Sequence, residues 1–183
     1  MLAPFLGKLR LTWQPVDERM VRTPTNINRE TRIRPMVEGD AEVVAELAME
    51  LGYPNEIEAI HRRIRPIGQT DLLLVVADAS DKPVGFIQAH RVCIIEVGFR
   101  VEILGLVVSS SARRKGIARM LIGEVELWAQ KIGAEVVSVR SNTKRAEAHL
   151  FYPAMGYKQI KTQAVYEKRP GGRESKKLEE SEK

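Results

Sequence analysis

A chain of 183 residues with 44% apolar side chains can bury one sizeable core and is short for two. Its formal charge of +5 is diffuse: residues 31–168 hold 19 Lys/Arg against 17 Asp/Glu, unlike the clustered basic face of a dedicated nucleic-acid binder. The one cysteine, Cys93, excludes an intrachain disulfide or a cysteine-based zinc knuckle and suits a reducing, cytoplasmic setting, and no apolar run reaches the roughly 20 residues that cross a bilayer.

Residues 1–30 scatter their apolar positions without period and gather turn formers from Pro24 to Asn28, so they read as a flexible leader. The first sixteen residues lack acids, as a transit peptide would, but Lys8 breaks the apolar stretch a secretory signal needs, and Met20 is a second candidate start. "TRIRPM" predicts a short strand. "GDAEVVAELAMELG" predicts a helix with Asp40 as N-cap, Val43, Val44, Leu47, Ala48 and Leu51 on one face, and Gly52 as the stop. "YPNEIEAIHRRIRPIG" predicts a second helix through Ile57, Ile60 and Ile64, halted by Pro66. Two β-rich runs, "DLLLVVADAS" and "PVGFIQAHRVCII", read as a hairpin turning at Ser80-Asp81-Lys82, and "RVEILGLVVS" reads as a third strand.

The stretch Ile117 to Ile132 places Ile117, Ala118, Leu121, Ile122, Val125, Trp128, Ala129 and Ile132 on one helical face, ended by Gly133. A strand "EVVSVR", a helix from about Thr143 to Tyr152 and a last strand "YKQIKTQAVYEK" follow. Residues 169–183 are Gly, Pro and charge and are expected to be a disordered tail. The order β-α-α-β-β-β-α-β-α-β predicts an α/β domain over residues 31–168, with a mixed sheet and helices on both faces. No His/Asp/Glu cluster has metal-ligand spacing, so no metal is expected.

The junction "LGLVVSSSARRKGIARMLI" carries the chemistry. A helix that starts near Gly116 turns unsatisfied N–H groups and a partial positive charge toward Ser109 to Lys115. A glycine there lets an anion come close to the backbone, and Arg113, Arg114 and Lys115 add formal charge. The spacing is neither that of a Walker loop nor that of a dinucleotide-binding turn. A bare strand-to-helix surface turn with a solvated charge run is the competing reading of the same residues.

The segment "VVSSSARRKGIARMLI" resembles the acetyl-coenzyme A motif of the GCN5-related N-acetyltransferases (GNAT superfamily), [RQ]-x-x-G-x-[GA], carried here by Arg113, Gly116 and Ala118. "SNTKRAEAHLFYPAMGY" resembles the family's closing motif, with a helix tyrosine shortly before a Gly-Tyr pair. Its finer pattern is similar to the aminoalkylphosphonate and aminoglycoside N-acetyltransferase subgroup. The resemblance covers about residues 31–168 and implies a GNAT-like fold, a mostly antiparallel sheet with one parallel, splayed pair.

It also implies acetyl-CoA as cosubstrate and direct transfer to a primary amine of a small molecule or peptide in a ternary complex. Pyrophosphate would sit on the backbone of Arg114 to Ala118, including Gly116 and Ile117, with Arg113 or Lys115 neutralising charge. The pantetheine arm would pair with Leu106 and Val108, and an N–H near Leu106 or Val107 would face the thioester oxygen. Tyr152 would protonate the leaving thiolate. Glu102, which alternates with Leu104 and Leu106, is the candidate base, against an ion pair at the strand's start; Glu96 is a weaker candidate. Gly105 stands where many relatives carry an acid, and Pro153 where they often carry a glutamate. His149 and Asn142 read as a packed histidine and a helix cap, and Arg145 could face coenzyme or acceptor. "HRRIR" at His61 to Arg65 could meet an anionic acceptor or be a solvated face. No nucleic acid or membrane partner is expected, and a homodimer is allowed. A non-catalytic acetyl-CoA sensor is the alternative function.

Overall fold

The structure, a computed structural model, describes residues 31–67, 72–79 and 81–170; the leader and residues 171–183 of the tail lie outside the described residues. The chain divides into two compact units, Met1–Asn142 and Thr143–Lys183. In the first, the strands are β1 (Thr31–Pro35), β2 (Leu72–Ala79), β3 (Lys82–Ile94), β4 (Gly98–Val108) and β5 (Val136–Val139), and the helices are α1 (Ala41–Glu50), α2 (Ile57–Ile67) and α3 (Ile117–Lys131).

The sheet order is β1-β2-β3-β4-β5. The first four strands are antiparallel neighbours, and β4 pairs with β5 in parallel from Arg100↔Val136 to Ile103↔Val139. The β2–β3 hairpin turns through Asp81 in the left-handed region (φ 67°), a conformation Asp tolerates better than most residues. Long β3 and β4 pair along their length because two β-rich runs are joined by only three turn residues.

Strand alternation sorts the two faces. Phe86 packs against the α1–α2 layer of Ala41, Val44, Ala45, Ile60 and Ile64. Ile87 and Ala89, one step out of phase with Phe86, point the other way with Val101 and Ile103, and all four are buried. Helix α3 packs against β4, β3 and β2 with Leu121, Ile122 and Val125 buried. Each such aliphatic side chain contributes about 1.5–3 kcal/mol. The result is a mixed α/β sheet with helices on both faces.

Asp40 does not cap α1 through its side chain. Residues Glu38–Asp40 form a 3-10 turn, and the Asp40 carboxylate accepts the Val37 N–H at 2.9 Å and both Arg34 Nη atoms at 2.8 Å. Arg34 Nε reaches buried Asp78 at 2.7 Å, and Arg32 Nε reaches it at 3.2 Å. Burial pushes the Asp40 carboxyl up, but the hydrogen bonds from Arg34 and Val37 outweigh it and hold it below the ordinary carboxylate range. Asp40, Asp78, Arg34 and Arg32 thus tie β1, β2 and the entry to α1 together. Helix α2 runs to Ile67 with Pro66 in its last turn, where the ring removes one backbone donor but leaves little helix beyond it to disrupt.

In the second unit, α4 (Ala146–Ala154) begins three residues later than the sequence suggests. Arg145, not Asn142, holds the N-cap position. The predicted strand over 157–168 is not formed: these residues have no regular structure, and all of 158–168 are exposed. A strand exists only by pairing, and α4 offers this segment no ladder within its own unit.

Candidate active site

Strand β5 leaves β4 after Val139, so the pairing on that side of β4 stops at Ile103. Among the described residues, no strand pairs with Leu104–Val108 on that edge. Such an edge of backbone N–H and C=O groups is suited to an extended ligand that pairs as a strand. The fork coincides with a β-bulge. On the β3 side Ala89 opposes Ile103 and Gln88 opposes Gly105, leaving Leu104 as the extra residue. Leu104 is half exposed as a result.

The bulge corrects the expected alternation. Glu102 pairs opposite His90, while Leu106 pairs opposite Ile87. Positions 87 and 90 lie on opposite faces of β3, so Glu102 and Leu106 do not share a face. Glu102 lies on the α1–α2 face with Phe86 and His90.

Beyond Val108 the chain makes a 3-10 turn, Ser110–Ala112, and then reverses through two left-handed residues, Arg114 (φ 62°) and Gly116 (φ 81°). Gly116 is the N-cap of α3 and supplies no side-chain cap; no acid stands in the first turn. A Cβ placed on Gly116 would meet no atom within 4 Å, so the space before the helix N-terminus is open. Arg113, Arg114, Lys115 and Gly116 are exposed, while Ile117 anchors the helix in the core. The Glu50 carboxylate, at the end of α1, steadies the start of the turn: it accepts the Ser110 N–H at 2.8 Å and the Ser109 hydroxyl at 3.3 Å, with Arg113 Nη2 at 3.9 Å. Backbone donors at a helix N-terminus, two left-handed residues and three cations around an open approach form an anion cradle that fits a pyrophosphate.

At the fork itself the buried carboxylate of Glu102 receives Arg140 Nε at 2.7 Å and Nη2 at 3.2 Å. His90 Nε2 lies 3.9 Å from Glu102 Oε2. Arg140 reaches this point because it follows the last residue of β5, Val139, which pairs with Ile103.

Residues 70–159 match the family model of the acetyltransferase (GNAT) domain. This stretch, with the loop and fork described above, belongs to the GNAT family. Among curated proteins, the chain is 38% identical over 58 residues to the uncharacterized N-acetyltransferase YhdJ of Bacillus subtilis, covering 32% of this chain and 41% of that protein. It is 41% identical over 58 residues to the aminoalkylphosphonate N-acetyltransferase of Salmonella typhimurium, covering 32% and 38%. The chain thus spans about two fifths of the length of these curated relatives. Among solved structures, an aminoglycoside N-acetyltransferase, AAC(6')-Iy, in complex with CoA superposes with a TM-score of 0.69 at 23% identity, over 81% of this chain and 98% of that one. At that identity the likeness speaks for the fold alone.

Within the GNAT domain, the first unit brings together Leu106, Val107, Val108, the loop Arg113–Gly116, Ile117 and Ala118 in one continuous strand, turn and helix. Glu102 sits at the base of the same strand. The weaker sequence candidate, Glu96, and the lone cysteine lie elsewhere. Glu96 is in the β3–β4 turn, and exposed Cys93 pairs opposite Phe99 near that turn, roughly 20 Å along the strand from Leu106.

The second unit holds Tyr152. Its ring makes edge-on contacts with Phe151 and Tyr157, at centroid distances of 5.3 and 5.8 Å. Burial raises the phenol above its ordinary range, against the opposing pull of the Arg145 cation. A phenol held in its protonated form is suited to donate a proton. His149 is exposed one turn earlier.

Sequence reasoning missed Arg140, His90, Glu50 and Asp78. Arg140 reads as the end of a strand, and its ion pair with Glu102 depends on the parallel register. His90 is hidden in a run that reads as generic β. The concavity lined by Gly39, Asp40, Glu42, Glu46, Asp81 and Lys82 shares no residue with the fork or the loop. Among the described residues no helix is long and apolar enough to cross a membrane.

Proposed function

We propose that the chain transfers the acetyl group of acetyl-CoA to a primary amine of a small molecule or peptide by direct attack in a ternary complex. The observation that carries this reading is the junction of an unpaired strand edge, Leu104–Val108, with an open anion cradle at the start of α3. Bound coenzyme supplies the activated acyl group. The chain's own residues do the rest. Backbone N–H groups from Arg114 to Ala118 hold the pyrophosphate, and Arg113 and Lys115 add charge. Leu106 and Val108 pair with the pantetheine arm, and an N–H near Leu106 or Val107 polarises the acyl oxygen.

Tyr152 is the proton donor to the departing sulfur, in keeping with a phenol kept protonated by burial. Glu102 anchors the proton path from the amine. Among the described residues the buried carboxylates are Asp40, Asp78 and Glu102, and the first two are held by Arg34 far along the chain from the loop. The relatives named above make aminoalkylphosphonates and aminoglycosides the first acceptors to try.

Release of free thiol from acetyl-CoA, measured with aminoalkylphosphonates, aminoglycosides, polyamines and N-terminal peptides, tests the reading. Turnover with any of these amines supports it. Tight acetyl-CoA binding with no turnover across the panel refutes it in favour of a sensor.

A further inference from the structure

We propose that His90 is a catalytic residue of this site: its ring takes the proton from the acceptor's ammonium group, while Glu102, clamped by Arg140, orients the ring. The inference deepens the acetyl-transfer reading and rests on it.

The placement follows from the ladder. His90 on β3 lies directly opposite Glu102 on β4, at the level where β5 is about to leave the sheet. Directly opposed side chains are the closest neighbours across an antiparallel pair, with Cβ atoms about 4.5–5.5 Å apart. The Nε2 atom is buried and without a hydrogen-bond partner, yet it lies only 3.9 Å from Glu102 Oε2. The side chain as a whole is 32% exposed, so part of it reaches solvent. A small closure converts this contact into a hydrogen bond, and catalytic hydrogen bonds are often long before substrate binds.

The chemistry separates the two residues' roles. Both oxygens of Glu102 are already engaged by the Arg140 guanidinium, so the carboxylate is held in place beside the ring. It still has lone pairs to orient an N–H. With Nε2–H directed at Glu102, the neutral ring carries its lone pair on Nδ1. That pair forms the new N–H bond; the N–H bond of the ammonium breaks, and its electrons become the lone pair of the nucleophilic amine. The proton then passes from the ring to water.

Among the described residues, the charged groups that the ladder sets beside His90 are Glu102, with Arg140 on it, and Arg100; Arg32, Arg34, Asp40 and Asp78 lie farther along the same face. Arg100, two residues before Glu102 and diagonal to His90, has a buried Nε without a partner. The neighbouring positions are Gln88 and Gly105 on one side and Leu72 of β2 across the ladder. Helices α1 and α2 pack on this face with Ala41, Val44, Ala45, Ile60 and Ile64, while Arg62, Arg63 and Arg65 of α2 are exposed.

The test uses the full chain. His90→Gln should lower kcat/KM for an accepted amine by roughly 10- to 100-fold at pH 7 and recover toward wild type near pH 10, where roughly a third to a half of an alkylamine is neutral by itself. Acetyl-CoA affinity, measured by calorimetry, should stay within about twofold, and Glu102→Gln should keep an acid limb in the pH profile. Wild-type rates in His90→Gln, or an acid limb that Glu102→Gln abolishes and His90→Gln retains, overturn the proposal and make Glu102 the base. A second readout needs no turnover and no variant. The ring ¹⁵N shifts of His90 in the wild-type chain at pH 8 should report the Nε2–H tautomer, and the Nδ1–H tautomer refutes the pairing. A wild-type chain that acetylates no amine overturns the acetyl-transfer reading itself and His90's role with it, whereas an active wild type matched by His90→Gln overturns this inference alone.

Discussion

Replacing Gly116 by valine separates backbone from side-chain anchoring of the coenzyme. Gly116 has φ 81° and ψ −1°, and the space its side chain would enter is empty to 4 Å. No clash with the protein arises, so the cost is conformational. An L residue in the left-handed region costs about 1–2 kcal/mol, and a β-branched one sits at the upper end. In the free variant the loop can relieve that strain by leaving the left-handed conformation. Coenzyme then has to restore it, which weakens binding by about 5- to 30-fold. Arg114→Ala is the matched control: position 114 has φ 62° with either side chain, so only an exposed charge is lost, about 0.3–1 kcal/mol or two- to fivefold. Calorimetric titration of acetyl-CoA at low and high salt distinguishes the two terms. The Gly116→Val loss should persist at high salt, and the Arg114→Ala loss should shrink. Gly116→Asn, which tolerates φ > 0, should lose less than valine. Equal or reversed losses for Gly116→Val and Arg114→Ala would mean that side-chain charge, not the helix N-terminus, holds the pyrophosphate.

Tyr152→Phe should lower kcat by roughly 10- to 1,000-fold with little change in acetyl-CoA affinity, and an unchanged kcat removes the phenol from the mechanism. Cys93→Ala should keep most of the activity, and initial-rate lines at several amine concentrations should intersect; parallel lines with one acetyl group on Cys93 would establish a ping-pong route instead. Asp78→Ala should destabilise the fold by about 3 kcal/mol in denaturant titration, because Arg34 and Arg32 lose a buried partner; a change below about 1 kcal/mol would show that Asp40 alone suffices for Arg34. For Asp40, the folded carboxyl is held below its unfolded range, so its contribution is complete above that range and fades as pH falls through the folded value. Wild type should therefore lose stability toward acid more steeply than Asp40→Asn, and parallel stability profiles below pH 4 would refute that contribution.

What was legible in the sequence is what local rules decide. The apolar stripe of α3 from Ile117 to Ala129 emerges as read, because a 3.6-residue period and two glycines, Gly116 and Gly133, fix a helix without reference to anything else. The β2–β3 hairpin and the strand-turn-helix that forms the anion cradle are equally local. The closing strand was not legible, because "YKQIKTQAVYEK" states a propensity, while a strand needs a partner ladder that sequence does not name. The Asp40 cap failed for a related reason: an Asp before a helix satisfies the capping rule, but Arg34, six residues back, offers that carboxylate two charge-assisted hydrogen bonds.

The bulge at Leu104 has the largest consequence for function. Counting by twos from Glu102 puts Leu106 beside it, and a single unpaired residue reverses that relation: Glu102 goes to the α1–α2 face with His90, and Leu106 goes to the face of Ile87. No composition or periodicity signals that residue, since Leu104 is as good a strand former as its neighbours. Yet it decides the geometry of the reaction. On the proposed reading, a coenzyme paired to the edge at Leu104–Val108 would lie in the plane of the sheet, with His90, Glu102 and Arg140 to one side of that plane. On the reading proposed above, an amine that meets both would approach from the α1–α2 face, which makes that layer the first place to look for residues that select the acceptor.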